Sequence, residues 1–168
     1  MGRNNQPDRG VLLRRERRRK KKLRKAGLCL FIVYMAALVY FLFFADWYNH
    51  VPGMHGSLRY NLVPFREIGR FLTKQEQLGA RTVFLNLGGN ILGFVPFGFF
   101  LPVISRRYRS LLTVTGLGFL VSLTVEVTQL LTRSGCFDTD DILLNTAGAA
   151  LGYVLFLLCD AARRRSYG

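Results

Sequence analysis

Apolar residues in this chain come in four long runs rather than at helical or alternating intervals. Gly27 to Ala45 contains no charged residue. Val83 to Ile104 is also uncharged, though Asn86, Asn90 and Pro96 interrupt it. Leu111 to Leu131 carries one charge, Glu126, and Ile142 to Cys159 carries none. A bilayer core is crossed by about 20 residues of helix. Lipid offers the backbone no hydrogen-bond partner, so runs of this length close their own bonds as helices. The short alternating segments of a membrane barrel are missing. The pattern predicts an all-α fold, an integral membrane bundle of four transmembrane helices.

Composition sharpens this picture because the charge is segregated. The 168 residues carry a formal charge of +14, and twelve of the 24 basic residues lie in residues 1–25. The chain therefore divides into a basic tail (1–26), a four-helix membrane domain (27–159) and a short C-terminal tail (160–168). With the N-terminus inside, the inner segments 1–26, 105–110 and 160–168 hold 18 basic residues and the outer segments hold six. By the positive-inside rule both termini are cytoplasmic and the protein is a multi-pass protein of the cell membrane. The first run is too long for a signal-peptide core, and cleavage after Ala45 would put Phe43 where a small residue is needed, so it reads as a retained anchor. The tail has no interleaved aromatics and no fold for base contact, so no nucleic-acid partner is expected. Its role is to fix topology and touch anionic headgroups.

Residues 46–82 form a long outer segment. Phe65, Ile68, Phe71, Leu72 and Leu78 fall at roughly helical spacing among Arg66, Arg70, Lys74 and Glu76, which suggests an amphipathic helix in the outer interface. The alternative is a loop folded over the helix ends. His50 and His55 lack neighbours at ligand spacing and are assigned no metal. Cys29, Cys136 and Cys159 include no pair placed for a disulfide.

Polar groups inside the runs converge on one side. Asn86 and Asn90 lie in the first two turns of the second helix, and Glu126 lies about 7–8 Å before the end of the third. Glu126, Gln129 and Arg133 share a face by their i, i+3, i+7 spacing. Asn145 follows Asp141 by one turn on the fourth helix. All lie toward the outer side, as in a pocket opening outward; a transport path would need polar groups at every depth. Gly89-x-x-x-Gly93 and Gly148-x-x-x-Gly152 would let helices approach closely around this layer, and Pro96 would bend the second helix. Each polar residue taken singly has a plainer role. Asn86, Asn90, Gln129 and Asn145 serve equally as interhelical glue, worth about 0.6 kcal/mol each. Asp140 or Asp141 serves as a cap on the fourth helix. Glu126 is the hardest to explain as packing, because a lone carboxylate in a span is either protonated or paired.

These residues resemble the VanZ family of small bacterial membrane proteins. The resemblance runs from Asn61 to Gly152. It rests on Asn61-Leu62-Val63-Pro64-Phe65, then Asn86-x-x-x-Asn90-Ile91-Leu92-Gly93-Phe94-Val95-Pro96-Phe97-Gly98, then Glu126-Val127-Thr128-Gln129 and Arg133. Asp138-x-x-Asp141-x-x-x-Asn145-Thr146-x-Gly148 completes it. The resemblance implies an envelope function facing outward. The founding member is associated with low-level resistance to teicoplanin, a lipoglycopeptide.

Three functions are open. The first is a non-enzymatic protein whose outward pocket, built from Asn86, Asn90, Glu126, Gln129, Arg133, Asp141 and Asn145, binds a membrane lipid, a lipid-linked cell-wall precursor or a lipoglycopeptide. Arg133 would hold a phosphate or carboxylate by paired hydrogen bonds. The second is an enzyme on a lipid-linked phosphate, with Glu126 as general acid or base and Asp138, Asp140 and Asp141 as weak candidates for holding a divalent cation. The third is a structural or assembly role. No cofactor is expected, and the pattern says nothing of oligomeric state.

Overall fold

The computed structural model describes residues 9–41, 60–133 and 135–165. His50 and His55 lie outside the described residues. The elements run α1 (Arg9–Tyr40), β1 (Tyr60–Asn61), α2 (Arg66–Thr73), α3 (Gln75–Leu78) and α4 (Ala80–Val83). A wide π-helical turn (Phe84–Gly88) leads into α5 (Gly89–Ile104), and α6 (Leu111–Thr132), β2 (Phe137–Asp138) and α7 (Thr139–Arg165) follow. Among the described residues, four helices are long and apolar enough to cross a membrane: Leu13–Tyr40, Ala80–Ile104, Leu111–Thr132 and Thr139–Arg165. Their outward faces carry exposed Ile32, Val33, Leu112, Leu131 and Leu158. On a soluble protein such a surface would aggregate; here it faces lipid. The basic stretch continues the first span as one helix, with no break at residue 26.

α5 and α7 form the central pair. No Cβ could fit at Gly98, where Ala149 O stands, at Gly148, where Ile91 O stands, or at Gly152, where Val95 O stands. The missing side chains let the two backbones touch, which is how helices associate in lipid, where the hydrophobic effect gives no drive. The expected small-residue motif on α7 is used. On the second span it is not: Gly89 meets nothing, and Gly93 faces Leu38. Gly98 takes that part, because helix crossing depends on which face points at the partner and spacing alone does not reveal it. α1 packs on α5 through Phe31 against Phe97 and through Tyr34, whose hydroxyl donates to Gly93 O at 2.6 Å. Leu38, Phe94, Phe97, Val114, Ala149 and Phe156 centre the core.

One end of the bundle holds the β1–β2 bridge, a two-residue parallel pairing of Tyr60 with Phe137 and Asn61 with Asp138. It is called the polar end below. The other end holds the basic half of α1, the 105–110 connection and the C-terminal arginines, and is called the basic end.

Candidate functional site at the polar end of the bundle

Among the described residues, the buried polar ones are Asn61, Ser122, Glu126, Gln129, Asp140 and Asn145. The deepest, Ser122, sits at the middle of α6, and the others lie toward the polar end. In the basic half, Thr115 Oγ1 is buried without a partner among the described residues. The one-sided distribution follows from the cost of polar groups in hydrocarbon, which gathers them where backbone or water can pair them.

At the centre of this layer, carboxylates hold backbone amides. Asp140, 1 % exposed, accepts from Phe65 N and, through its other oxygen, from Glu67 N at 2.8 Å and Ile68 N at 3.0 Å. These are the free donors at the start of α2, so Asp140 on α7 caps a different helix across the molecule. Glu126, 2 % exposed, accepts from Asp138 N at 2.8 Å. Asp138 accepts from Asp140 N at 2.9 Å, which caps α7, and from Asn61 Nδ2 at 3.1 Å. Thr139 Oγ1 donates to Asn61 O at 3.0 Å. Burial pushes the Asp138 carboxyl above its ordinary range; the Asp140 amide and Asn61 pull it down, and the charges of Asp140 and Glu67 add to the rise. Phe65 pays for this arrangement with a left-handed backbone (φ 63°), which costs a bulky residue about 1–3 kcal/mol.

The expected site residues separate into three groups. Asn90 and Asp141 come together, the Asn90 amide donating to Asp141 Oδ1 at 2.5 Å. Glu126 and Gln129 are buried beside them in the same layer, Gln129 packed against Gly135. Asn145 is buried too, but its amide donates to Ser122 Oγ at 2.8 Å in the α6–α7 seam, with Oδ1 unpartnered. Asn145 therefore turns into the bundle, away from the face expected from its spacing to Asp141.

Several expectations are corrected. Asn86 is exposed and donates to Thr82 O of its own helix at 2.8 Å. The π-helical turn at 84–88 breaks the regular four-residue spacing that would have stacked it above Asn90. Arg133 does not continue the Glu126 face. It closes α6 in a left-handed conformation (φ 55°), exposed, and forms no ion pair with Glu126. The cap on α7 is Asp138, neither Asp140 nor Asp141. Asp140 gives both oxygens to amides, and Asp138 and Asp141 give one oxygen each; among the described residues, no group of three His, Cys, Asp or Glu is arranged for a metal. Two residues of the layer are absent from the set that the sequence pattern suggests. Asn61 is a hub that needs β1–β2 pairing to acquire its role. Ser122 is legible in principle, lying one turn before Glu126 on the same face.

Within the described part of this segment, the residues at helical spacing form two short helices, α2 and α3, broken at Lys74, and the Asp140 bonds fasten the start of α2 to α7. No residue of α2 is buried.

A family model described as VanZ/LLP1 matches residues 31–160. This chain belongs to the VanZ/LLP1 family. Among curated relatives, Protein VanZ of Enterococcus faecium is 28 % identical over 128 residues, covering 76 % of this chain and 71 % of that protein. No solved structure matches the chain. The VanZ-like region covers the whole carboxylate–amide network and begins within α1, ahead of Asn61, where the motif resemblance starts. It leaves out the basic half of α1.

Proposed function

We propose that this VanZ-like membrane protein presents its polar end outward and there binds an amphipathic ligand of the envelope: a lipid, a lipid-linked cell-wall precursor or a lipoglycopeptide such as teicoplanin. The observation that carries the reading is an apolar groove of about 340 Å³ between the end of α1 and α6, lined by Val39, Leu117, Leu120, Val121, Thr124 and Thr128 among others. The hydroxyls of Thr124 and Thr128 bond to carbonyls of their own helix, which leaves their methyl groups to the groove. From Leu117 to Thr128 it runs about 16 Å along the axis, suited to an acyl chain, and it rises toward exposed Arg133, suited to the ligand's phosphate or carboxylate. Asn90 and Asp141 supply further polar contacts.

Glu126, Asp138 and Asp140 support a structural reading of their own part. Each accepts from at least one backbone amide, Asp140 from the start of α2, Glu126 from β2 and Asp138 from the start of α7, which supports a role in holding these segments together.

Expression in a glycopeptide-susceptible Gram-positive host tests the proposal. The inhibitory concentration of teicoplanin should rise, while that of a glycopeptide without an acyl chain should not. Leu120→Trp, which fills the groove, should remove the effect with membrane accumulation unchanged. An equal rise for both drugs, or full effect with the groove filled, sinks the acyl-chain reading. Orientation is tested separately: an impermeant thiol reagent on intact cells should reach Cys136 and miss Arg107→Cys.

A further inference from the structure

A large cavity lies at the other end. It measures about 1160 Å³ and lies between the basic half of α1, α5, the 105–110 connection and the end of α7. Arg14, Arg17, Arg18, Lys21 and Arg24 line its wall. Their spacing of three, four, seven and ten residues from Arg14 puts them on one face of α1. Arg106, Arg109 and Arg163 close it from the other elements. The floor is apolar, made by Leu30, Phe99, Phe100 and Val103. Gly27 lies buried against Val103, where α1 packs on α5. Arg15, Arg19 and Lys22, on the same helix, are exposed and line none of it.

Eight cations on three sides of one cavity repel each other unless an anion sits among them. Among the described residues, Asp160 next to Arg163 pairs with Arg163 at 2.6 Å and with Arg164 at 2.9 Å. Asp160 also attracts Arg109, which stands over the Phe156 ring, while the α1 stripe and Arg106 form no ion pair among the described residues. A free polyphosphate would use the cations but not the apolar floor. A lipid chain alone would use the floor but not the cations. The cavity exceeds the usual small-ligand range of about 300–1,000 Å³, which suits a headgroup together with the first part of its chains. Basic pockets between membrane helices accept anionic headgroups in this way.

We propose that this cleft is a binding site for an anionic phospholipid, with a two-phosphate headgroup spanning the α1 stripe and Arg106–Arg109 and its acyl chains on the Phe99–Phe100–Val103 floor. The site is independent of the polar end and of any ligand bound there.

Native mass spectrometry of the full chain, released from phosphatidylcholine nanodiscs doped with cardiolipin or phosphatidylglycerol, tests it. Cardiolipin should stay bound, phosphatidylglycerol less so, and phosphatidylcholine not. The triple variant Arg14→Gln/Arg17→Gln/Lys21→Gln should lose cardiolipin at least about tenfold more than Arg15→Gln/Arg19→Gln/Lys22→Gln, which removes the same charge from the same helix; each basic group near an anionic surface contributes a factor of about five. Arg106→Gln/Arg109→Gln should repeat the loss with α1 untouched. Equal losses from the two α1 triples overturn the proposal in favour of diffuse surface attraction. Displacement by inorganic pyrophosphate as effective as by cardiolipin overturns it in favour of a free-anion site.

Discussion

The two ends of the bundle treat charge in opposite ways. At the polar end, Glu126 and Asp140 are almost wholly buried, and their oxygens accept amide hydrogens from β2 and α2. At the basic end the arginines of α1 stand exposed, and the cleft between them is far larger than any side chain in it needs. A carboxylate removed from water must find donors inside the chain. A guanidinium on a long stem reaches water or headgroups unaided. The contrast teaches that a buried charge in a membrane protein is not by itself the mark of a ligand site. Here the buried carboxyl groups organise the chain, and the exposed arginines line an open cleft.

The strongest test of this contrast is Asp140→Ala. It strips the acceptor from three amides, and a loss of about 2–4 kcal/mol is expected. Thermal unfolding in detergent should show it, together with faster hydrogen exchange in residues 65–68. Unchanged protection there would mean that the segment is held by something else. Next comes the seam below. A double-mutant cycle of Ser122→Ala with Asn145→Ala should return a coupling of about 0.6–1.7 kcal/mol. Glu126→Gln combined with Arg133→Gln should instead be additive in stability within about 0.5 kcal/mol, because the two do not pair. A larger coupling would restore an ionised Glu126–Arg133 couple.

A smaller effect follows from pH. Burial raises the Asp138 carboxyl above its ordinary value of 3.8, so the folded state holds this proton more tightly than the unfolded state. Its contribution to stability is full below that value and is lost as pH rises through the folded value. Asp138→Asn should remove this share of the slope, seen as a difference between the two pH profiles of unfolding. The smallest effect belongs to the basic end. Arg15→Gln/Arg19→Gln/Lys22→Gln should leave the unfolding midpoint within about 0.5 kcal/mol of the parent, as for exposed surface changes generally.

Much of the fold is legible in the amino-acid sequence. Four spans, the limits of the last three within about six residues, and the gathering of polar groups toward one end all follow from the hydropathy pattern, since lipid punishes an unpaired polar group wherever it lies along a span. Asn90, Asp141, Glu126 and Gln129 fall in one layer because depth scales with residue number at a constant rise per residue. Rotation about the helix axis is harder to read. Asn86 departs from its expected face because a π-helical turn intervenes, and Arg133 because it closes the helix in a left-handed conformation.

What tertiary structure alone decided is which group each carboxylate serves. Nothing in the spacing joins Asp140 to the amides of Phe65, Glu67 and Ile68, more than seventy positions away, or selects Gly98 over Gly93 for the contact with α7. Composition settles the cost of burying a charge, because solvation depends on the group and its depth. The partner that offsets this cost is set by how the helices cross and how the loops return, and those are collective properties of packing that no local pattern encodes.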